Sequence, residues 1–269
     1  MLSAFGKAFK TPDLRKKIFF TLSIMALFRF GSVVPTPGVS YKNVQECLNQ
    51  VQTGGLFGLI NLFSGGALLH LSVFALGIMP YITSSIIVQL LTVVIPRFEA
   101  LKNEGQSGTA KLTQYTRYLT VGLAILQSTG LVAVARTTGR LINGCTLPII
   151  PDTSWQRIVT MIFVMTAGTS VIMWLGELIT DRGVGNGMSI LIFTSIAAGF
   201  PGNLWSIKLQ KGLFAFLFVL AVGILVVMAV VFVEQAQRRI PVQYAKRMVG
   251  RQTYGGTSTY IPIKVNQAG

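Results

Sequence analysis

Four stretches of this chain, Leu71 to Ile95, Tyr118 to Ala135, Ile158 to Leu175 and Leu213 to Val233, contain no Asp, Glu, Lys or Arg. A helix needs about 20 apolar residues to cross a hydrocarbon core about 30 Å thick, and each run is of that order. Ile18 to Val34 adds a fifth run, interrupted only by Arg29. A sixth, Met188 to Phe200, is shorter and flanked by Gly187 and Pro201, and it can extend through Asn186 and Gly202 if it tilts or sits inside a bundle. Only 12% of the residues are charged, against about a quarter in a soluble domain, while 51% are hydrophobic. The expected fold is therefore an all-α polytopic membrane protein with spans over residues 18–34, 71–95, 118–135, 158–179, 187–202 and 213–233. The first run leads into Pro35, Thr36, Pro37 and Gly38 rather than a small-residue cleavage site, so it is expected to be retained.

The region from Cys47 to Pro96 carries no formal charge and is longer than one span requires, with breaks at Gly54-Gly55 and Gly65-Gly66. Its apolar piece Leu56 to Leu69 is too short to cross, which predicts a re-entrant helix. Irregular backbone at that depth must be shielded by protein or line a water-filled cavity. The tail after Val233 differs again. Arg239 to Tyr244 and Tyr260 to Val265 alternate residue types, each with one Pro, and predict a β-ribbon whose tip is Lys246 to Arg251. A basic linker is the alternative.

Six spans put both termini on one side. The formal charge is +15, and 16 of the 23 basic residues fall on one face: Lys7 to Lys17, Arg97 to Arg117, Arg182, and Arg238 to Lys264. The opposite face holds Lys42, Arg136, Arg140, Arg157, Lys208 and Lys211. Basic loops stay in the cytoplasm, so the N-terminus of this multi-pass chain is expected there. Counting Leu56 to Leu69 as a full span would destroy this asymmetry.

Ionisable groups within the spans are few, and no convergent catalytic set is present. The lone histidine, His70, reads as a packed or interfacial residue. Gly183, Gly185 and Gly187 follow no strand and precede no lysine, so a phosphate loop is rejected in favour of a helix cap and turn. Glu177 and Asp181 share a helix face and need a cation, for which Arg182 is the near candidate. Arg29 can either snorkel outward or meet an internal partner. Cys47 and Cys145 are too few and too distant to define a disulfide framework or a metal site, and they read as incidental. No metal, cofactor or catalytic residue is expected.

Five segments in order, Arg29 to Gly38, Asn61 to Ala67, Gly77 to Leu91, Gly176 to Ser189 and Glu234 to Arg247, resemble signatures of the SecY family, channel subunits of protein export, in its bacterial form. The resemblance covers the whole chain. It implies a fold of ten spans in two pseudo-symmetric halves, of which this chain holds the first half plus one helix and stops before the seventh span. Residues 1–269 would then form one incomplete membrane domain, with residues 1–17 and 234–269 cytoplasmic.

The same resemblance makes Leu56, Phe57, Leu59, Ile60, Leu62, Phe63, Gly65 and Gly66 part of a plug. Ile82 and Ile86, and Ile192 and Ile196, become an apolar pore ring. In each pair the residues lie one helical turn apart. Ordinary packing or lipid exposure is the alternative for such isoleucines. Ser85 and Gln89 would lie at a lateral gate, with an interhelical hydrogen bond as the alternative for Gln89. Arg238, Arg239, Lys246, Arg247 and Arg251 would meet ribosomal RNA phosphates or the SecA motor, with anionic lipid as the competing partner.

The implied function is a passive channel for unfolded secretory proteins that also releases membrane proteins sideways. Its implied partners are SecE, SecG, SecA, the ribosome and signal sequences, without DNA. The alternative is a secondary transporter of inverted-repeat architecture, which would need midplane charges for coupling.

Overall fold

The computed structural model describes residues 11–50, 66–137, 141, 145, 147–242, 247–249, 252–254 and 259–265. The chain divides into two compact units, residues 1–201 and 202–269. In the first unit, helix α1 (Pro12–Val33) is followed by α2 (Tyr41–Gln50), α3 (Met79–Val94), α4 (Pro96–Asn103), α5 (Gln106–Arg136) and α6 (Trp155–Arg182). The helical run α7 (Gly187–Gln235) begins in this unit and is interrupted at Gly212, whose φ is +86°.

Small and hydroxyl residues form the contact stripes. On α1, Thr21, Ile24, Phe28 and Ser32 are buried. On α3 the buried set is Pro80, Ser84, Val88 and Thr92, and on α5 it includes Thr116, Thr120, Ala124 and Ser128. These positions recur every three or four residues, so each stripe runs along one helix face. Small side chains let helix backbones approach closely where lipid supplies no hydrophobic contrast. The hydroxyls are accommodated because they bond back to carbonyls of their own helix, as Thr116 Oγ1 does to Leu112 O at 3.0 Å and Thr120 Oγ1 to Thr116 O at 2.7 Å. Large apolar residues point away: Phe19, Leu22, Leu27 and Phe30 on α1 and Leu126 on α5 are exposed. α1 packs on α6, and α5 packs on both α3 and α6.

One expectation about the second run, a helix from Leu71, is revised. Residues 66–78 are not helical. They form successive turns, with positive φ at Gly66, Leu71 and Gly77. The helix starts only at Met79, with proline in its first turn. α3 then ends at Val94, and the chain bends by 101° into α4 at Ile95. The charge-free run from Leu71 to Ile95 therefore joins a non-helical part to a helix, a distinction that apolar composition cannot register.

The turn segment is held by its neighbours. Thr36 N donates to Leu71 O at 3.0 Å and Val73 N to Val34 O at 2.9 Å, with Pro35 and Ser72 bridged. Phe74 stacks on Phe28 at 5.9 Å and lies where a Cβ on Gly31 would be. A Cβ on Gly168 of α6 would collide with the carbonyl of Val73. Shielding of non-helical backbone by protein is what membrane depth demands, and Ala67, Leu68, Leu69 and Leu71 are all buried.

The cysteines form a disulfide, Cys47–Cys145, with a Cα separation of 5.4 Å. The reading of them as incidental is thus corrected. Residues 98 apart in sequence meet because α2 folds onto the segment preceding α6. Ser40 N donates to Ile149 O at 3.0 Å, and Asn43 Nδ2 donates to Pro148 O at 2.8 Å.

In the second unit, Ile207–Gln235 is long and apolar enough to cross a membrane, as are α5 and α6 in the first. The expected ribbon is present. β1 (Gln237–Val242) pairs antiparallel with β4 (Thr259–Lys264), and β2 (Arg247–Val249) pairs with β3 (Gln252–Tyr254). Its two prolines, Pro241 and Pro262, lie on a two-stranded ladder in which both strands are edges, where a missing N–H is tolerated.

Candidate functional site

α3, α5, α6 and the start of α7 enclose an open cleft of about 510 Å³. Its apolar wall comes from Ile82 and Ile86 on α3 and from Met188 and Ile192 on α7. Ile82 and Ile192 pack partly against the core of Phe28, Phe74, Ile78, Ile172 and Leu191. Ile86 is exposed, at 51%. Three of the four ring candidates therefore share one cavity. Ile196, one turn beyond Ile192, is exposed at 42% and is not in that lining.

The charged residues of the lining are Arg117 on α5 and Glu177 and Asp181 on α6. Arg117 Nε and Nη2 donate to the two carboxylate oxygens of Glu177, both at 2.8 Å. Arg117 replaces Arg182 as the expected cation. Five residues along a helix rotate a side chain well off the Glu177 face, whereas Arg117 arrives from α5, which packs on α6. The need of Glu177 for a cation was legible, but its cross-helix source was not.

The α6-to-α7 hairpin fixes the rim. Asn186 Oδ1 accepts from the backbone N–H groups of Met188 at 3.0 Å and Ser189 at 3.3 Å, which caps α7. Thr180 Oγ1 accepts from Gly187 N at 2.9 Å. A Cβ on Gly187 would overlap the carbonyl of Gly176, so the two helices close with backbone against backbone. Gly185 turns at φ +74°. The cap-and-turn reading of these glycines describes this geometry.

Ser85 lines the cleft and also a neighbouring cavity of about 390 Å³, shared with Gln89, Thr92, Thr109, Thr113 and Thr116. Gln89 is exposed, and its Nε2 lies 3.5 Å from Ser85 Oγ of its own helix rather than bonding across helices. At the other end of α1, Arg29 lines a small cavity of about 110 Å³ with Ser32, Val33, Tyr41, Gly66 and His70, where His70 stacks on Tyr41 at 6.4 Å.

Of the plug candidates, Leu56, Phe57, Leu59, Ile60, Leu62, Phe63 and Gly65 lie outside the described residues. Gly66 is described, at φ +91°. Of the docking candidates, Arg238 and Arg239 are exposed on β1, where neighbouring residues face opposite sides, and Arg239 covers the Tyr260 ring at 4.8 Å. Arg247 opens β2, while Lys246 and Arg251 lie outside the described residues. Among the described residues no cluster of His, Cys, Asp or Glu could hold a metal ion.

The fold is that of a helical membrane channel. It resembles a solved protein-conducting channel with a TM-score of 0.58 at 16% identity, covering 92% of this chain and 52% of that one. It also resembles Sec61 in a canine ribosome–channel complex, with a TM-score of 0.55 at 15% identity, covering 89% and 53%. The sequence places it more narrowly. The SecY family model matches residues 72–269, and the chain belongs to the SecY family. It is 68% identical to the protein translocase subunit SecY of Streptomyces coelicolor and 59% identical to that of Mycobacterium tuberculosis, in both cases over all of this chain. It spans 63% and 62% of their lengths.

Proposed function

We propose that this chain forms one half of a protein-conducting channel, together with one further helix. As part of the whole protein, it passes unfolded secretory chains across the cytoplasmic membrane and releases membrane proteins sideways into lipid. The observation that carries this reading is the convergence of Ile82, Ile86 and Ile192 from two helices on a cleft left open on one side. An extended polypeptide needs a wall that excludes ions yet offers no binding site to hold it, and an apolar constriction does so by fit and dewetting. Of the charged lining residues, Arg117 and Glu177 satisfy one another and Asp181 lies in the last turn of α6, which gives no support to a coupled transporter.

Membership of a channel family fits a pore without chemistry of its own, driven by the SecA motor or by the ribosome. The distribution of basic residues supports a cytoplasmic side that holds the N-terminus, the bend into α4, the α6-to-α7 hairpin and the ribbon. Arg238, Arg239 and Arg247, with Lys246 and Arg251, would meet the phosphates of ribosomal RNA or the SecA surface there, and anionic lipid would compete for them. SecE and SecG would complete the complex. Residues 56–69 would form the plug, Ile196 would extend the ring, and Ser85 with Gln89 would border the lateral exit.

The test is ion conductance of the full-length protein in planar bilayers, with Ile82, Ile86 and Ile192 replaced together by Ser. The expected result is a resting conductance at least tenfold above that of the parent. Unchanged conductance in a folded variant would remove these residues from the seal.

A further inference from the structure

The Cys47–Cys145 bond takes no part in the pore reading, yet it lies in the middle of the larger apolar core. Cys47 is fully buried and Cys145 is 4% exposed, among Val44, Leu141, Ile149, Ile150 and Met161. Their Cα separation of 5.4 Å is in the range that a disulfide spans without backbone movement. The pair does not have the form of a shuttling dithiol, which uses an exposed and usually closely spaced motif whose thiolate can attack. Here the two residues are 98 apart and enclosed. Both lie in connections that the basic residues assign to the outer face, one between α1 and α3 and the other between α5 and α6. Thiols persist as disulfides on that side of a cytoplasmic membrane and not on the other.

We propose that Cys47–Cys145 is a structural crosslink installed from outside once both connections have crossed, and that it fastens α2 to the outer cap of this half of the channel. The outer cap is then a substrate of extracytoplasmic thiol oxidation. In that exchange the two cysteine thiols lose two protons and two electrons as the S–S bond forms. The oxidant, a protein disulfide on the outer face, is reduced by the same amount to two thiols. The bond adds a covalent link beside the hydrogen bonds from Ser40 and Asn43 and the packing of buried Val44. It fixes Cys47 whatever the chain does beyond Gln50.

The proposal rests on the outward orientation given above, and its test separates the two. Full-length protein in membranes from aerobic cells is denatured in SDS, alkylated with iodoacetamide, reduced, and alkylated again with N-ethylmaleimide, and its peptides are mapped. The expected result is the second label alone on both Cys47 and Cys145. The first label on both would overturn the crosslink. In C47A and C145A the remaining cysteine is expected to take the first label. The paired C47A/C145A variant is expected to lower the thermal aggregation midpoint by about 5 °C, and an unchanged midpoint would overturn the fastening role. In the same background, Asp152→Cys on intact cells reports the side. Labelling by an impermeant maleimide is expected, and its absence would overturn oxidation from outside while leaving the pore test standing.

Discussion

Arg117 and Glu177 are 60 residues apart in sequence and meet as a bidentate pair at the charged edge of the cleft. The side chains are 49% and 22% exposed, so solvent screens much of the attraction. Fork geometry raises the value of such a pair and exposure lowers it, which leaves about 1 kcal/mol of coupling. A double-mutant cycle on thermal stability with Arg117→Ala and Glu177→Gln should return a coupling of that size, and additive single effects would show that the pair contributes nothing. Asn186 is a simpler case. Its side chain accepts from two N–H groups that would otherwise lack helical partners, and Asn186→Ala should cost about 1 kcal/mol by the same measurement, whereas Asn186→Asp should be nearly neutral. At this scale the sequence was partly legible. Glycines between two apolar runs announce a cap and turn, but nothing local singled out Asn186 as the cap of α7, told Glu177 which helix would bring its cation, or told Cys47 that α2 would bring it to Cys145.

The helices themselves were read well where apolar length alone decides, as in α5, α6 and Ile207–Gln235. The reading failed at Leu71 to Ile78, because hydrophobicity reports burial and not backbone conformation. Turns in that stretch survive because α1 and α6 yield space to them at Gly31 and Gly168. Gly168→Ala should therefore force the Val73 carbonyl to move, at a cost of about 1 to 3 kcal/mol. Gly122 in the interior of α5 would meet nothing within 4 Å, so Gly122→Ala should stabilise by about 0.5 to 1 kcal/mol. Equal effects of the two substitutions in thermal unfolding would contradict the account of how the non-helical segment is held. The ribbon was legible for a different reason. Proline-bearing alternation on either side of Gly255-Gly256 pointed to a ribbon over a basic linker, and the structure adds the register, Arg239↔Pro262 and Pro241↔Tyr260.

For the whole molecule, composition and charge distribution carried most of the argument. Long neutral runs define the class, and the lopsided basic residues are the ground for the proposed orientation. Neither says that a cleft will form. That depends on α3 and the start of α7 turning isoleucines toward a common space while Leu126 and Phe19 turn outward. Helical spacing makes each isoleucine pair possible, but only the packing of α3, α5 and α6 brings Ile82, Ile86 and Ile192 together. The central claim is that this face is the wall of a conduit for polypeptide. It is tested most directly in the full-length protein carrying Ile86→Cys, with the Cys47–Cys145 bond intact, by disulfide crosslinking to a cysteine in a chain arrested in mid-passage. The account predicts an adduct that appears only with the arrested chain and is absent for Leu126→Cys on the outward face of α5. No adduct at Ile86, or one equally strong at Leu126, would contradict it.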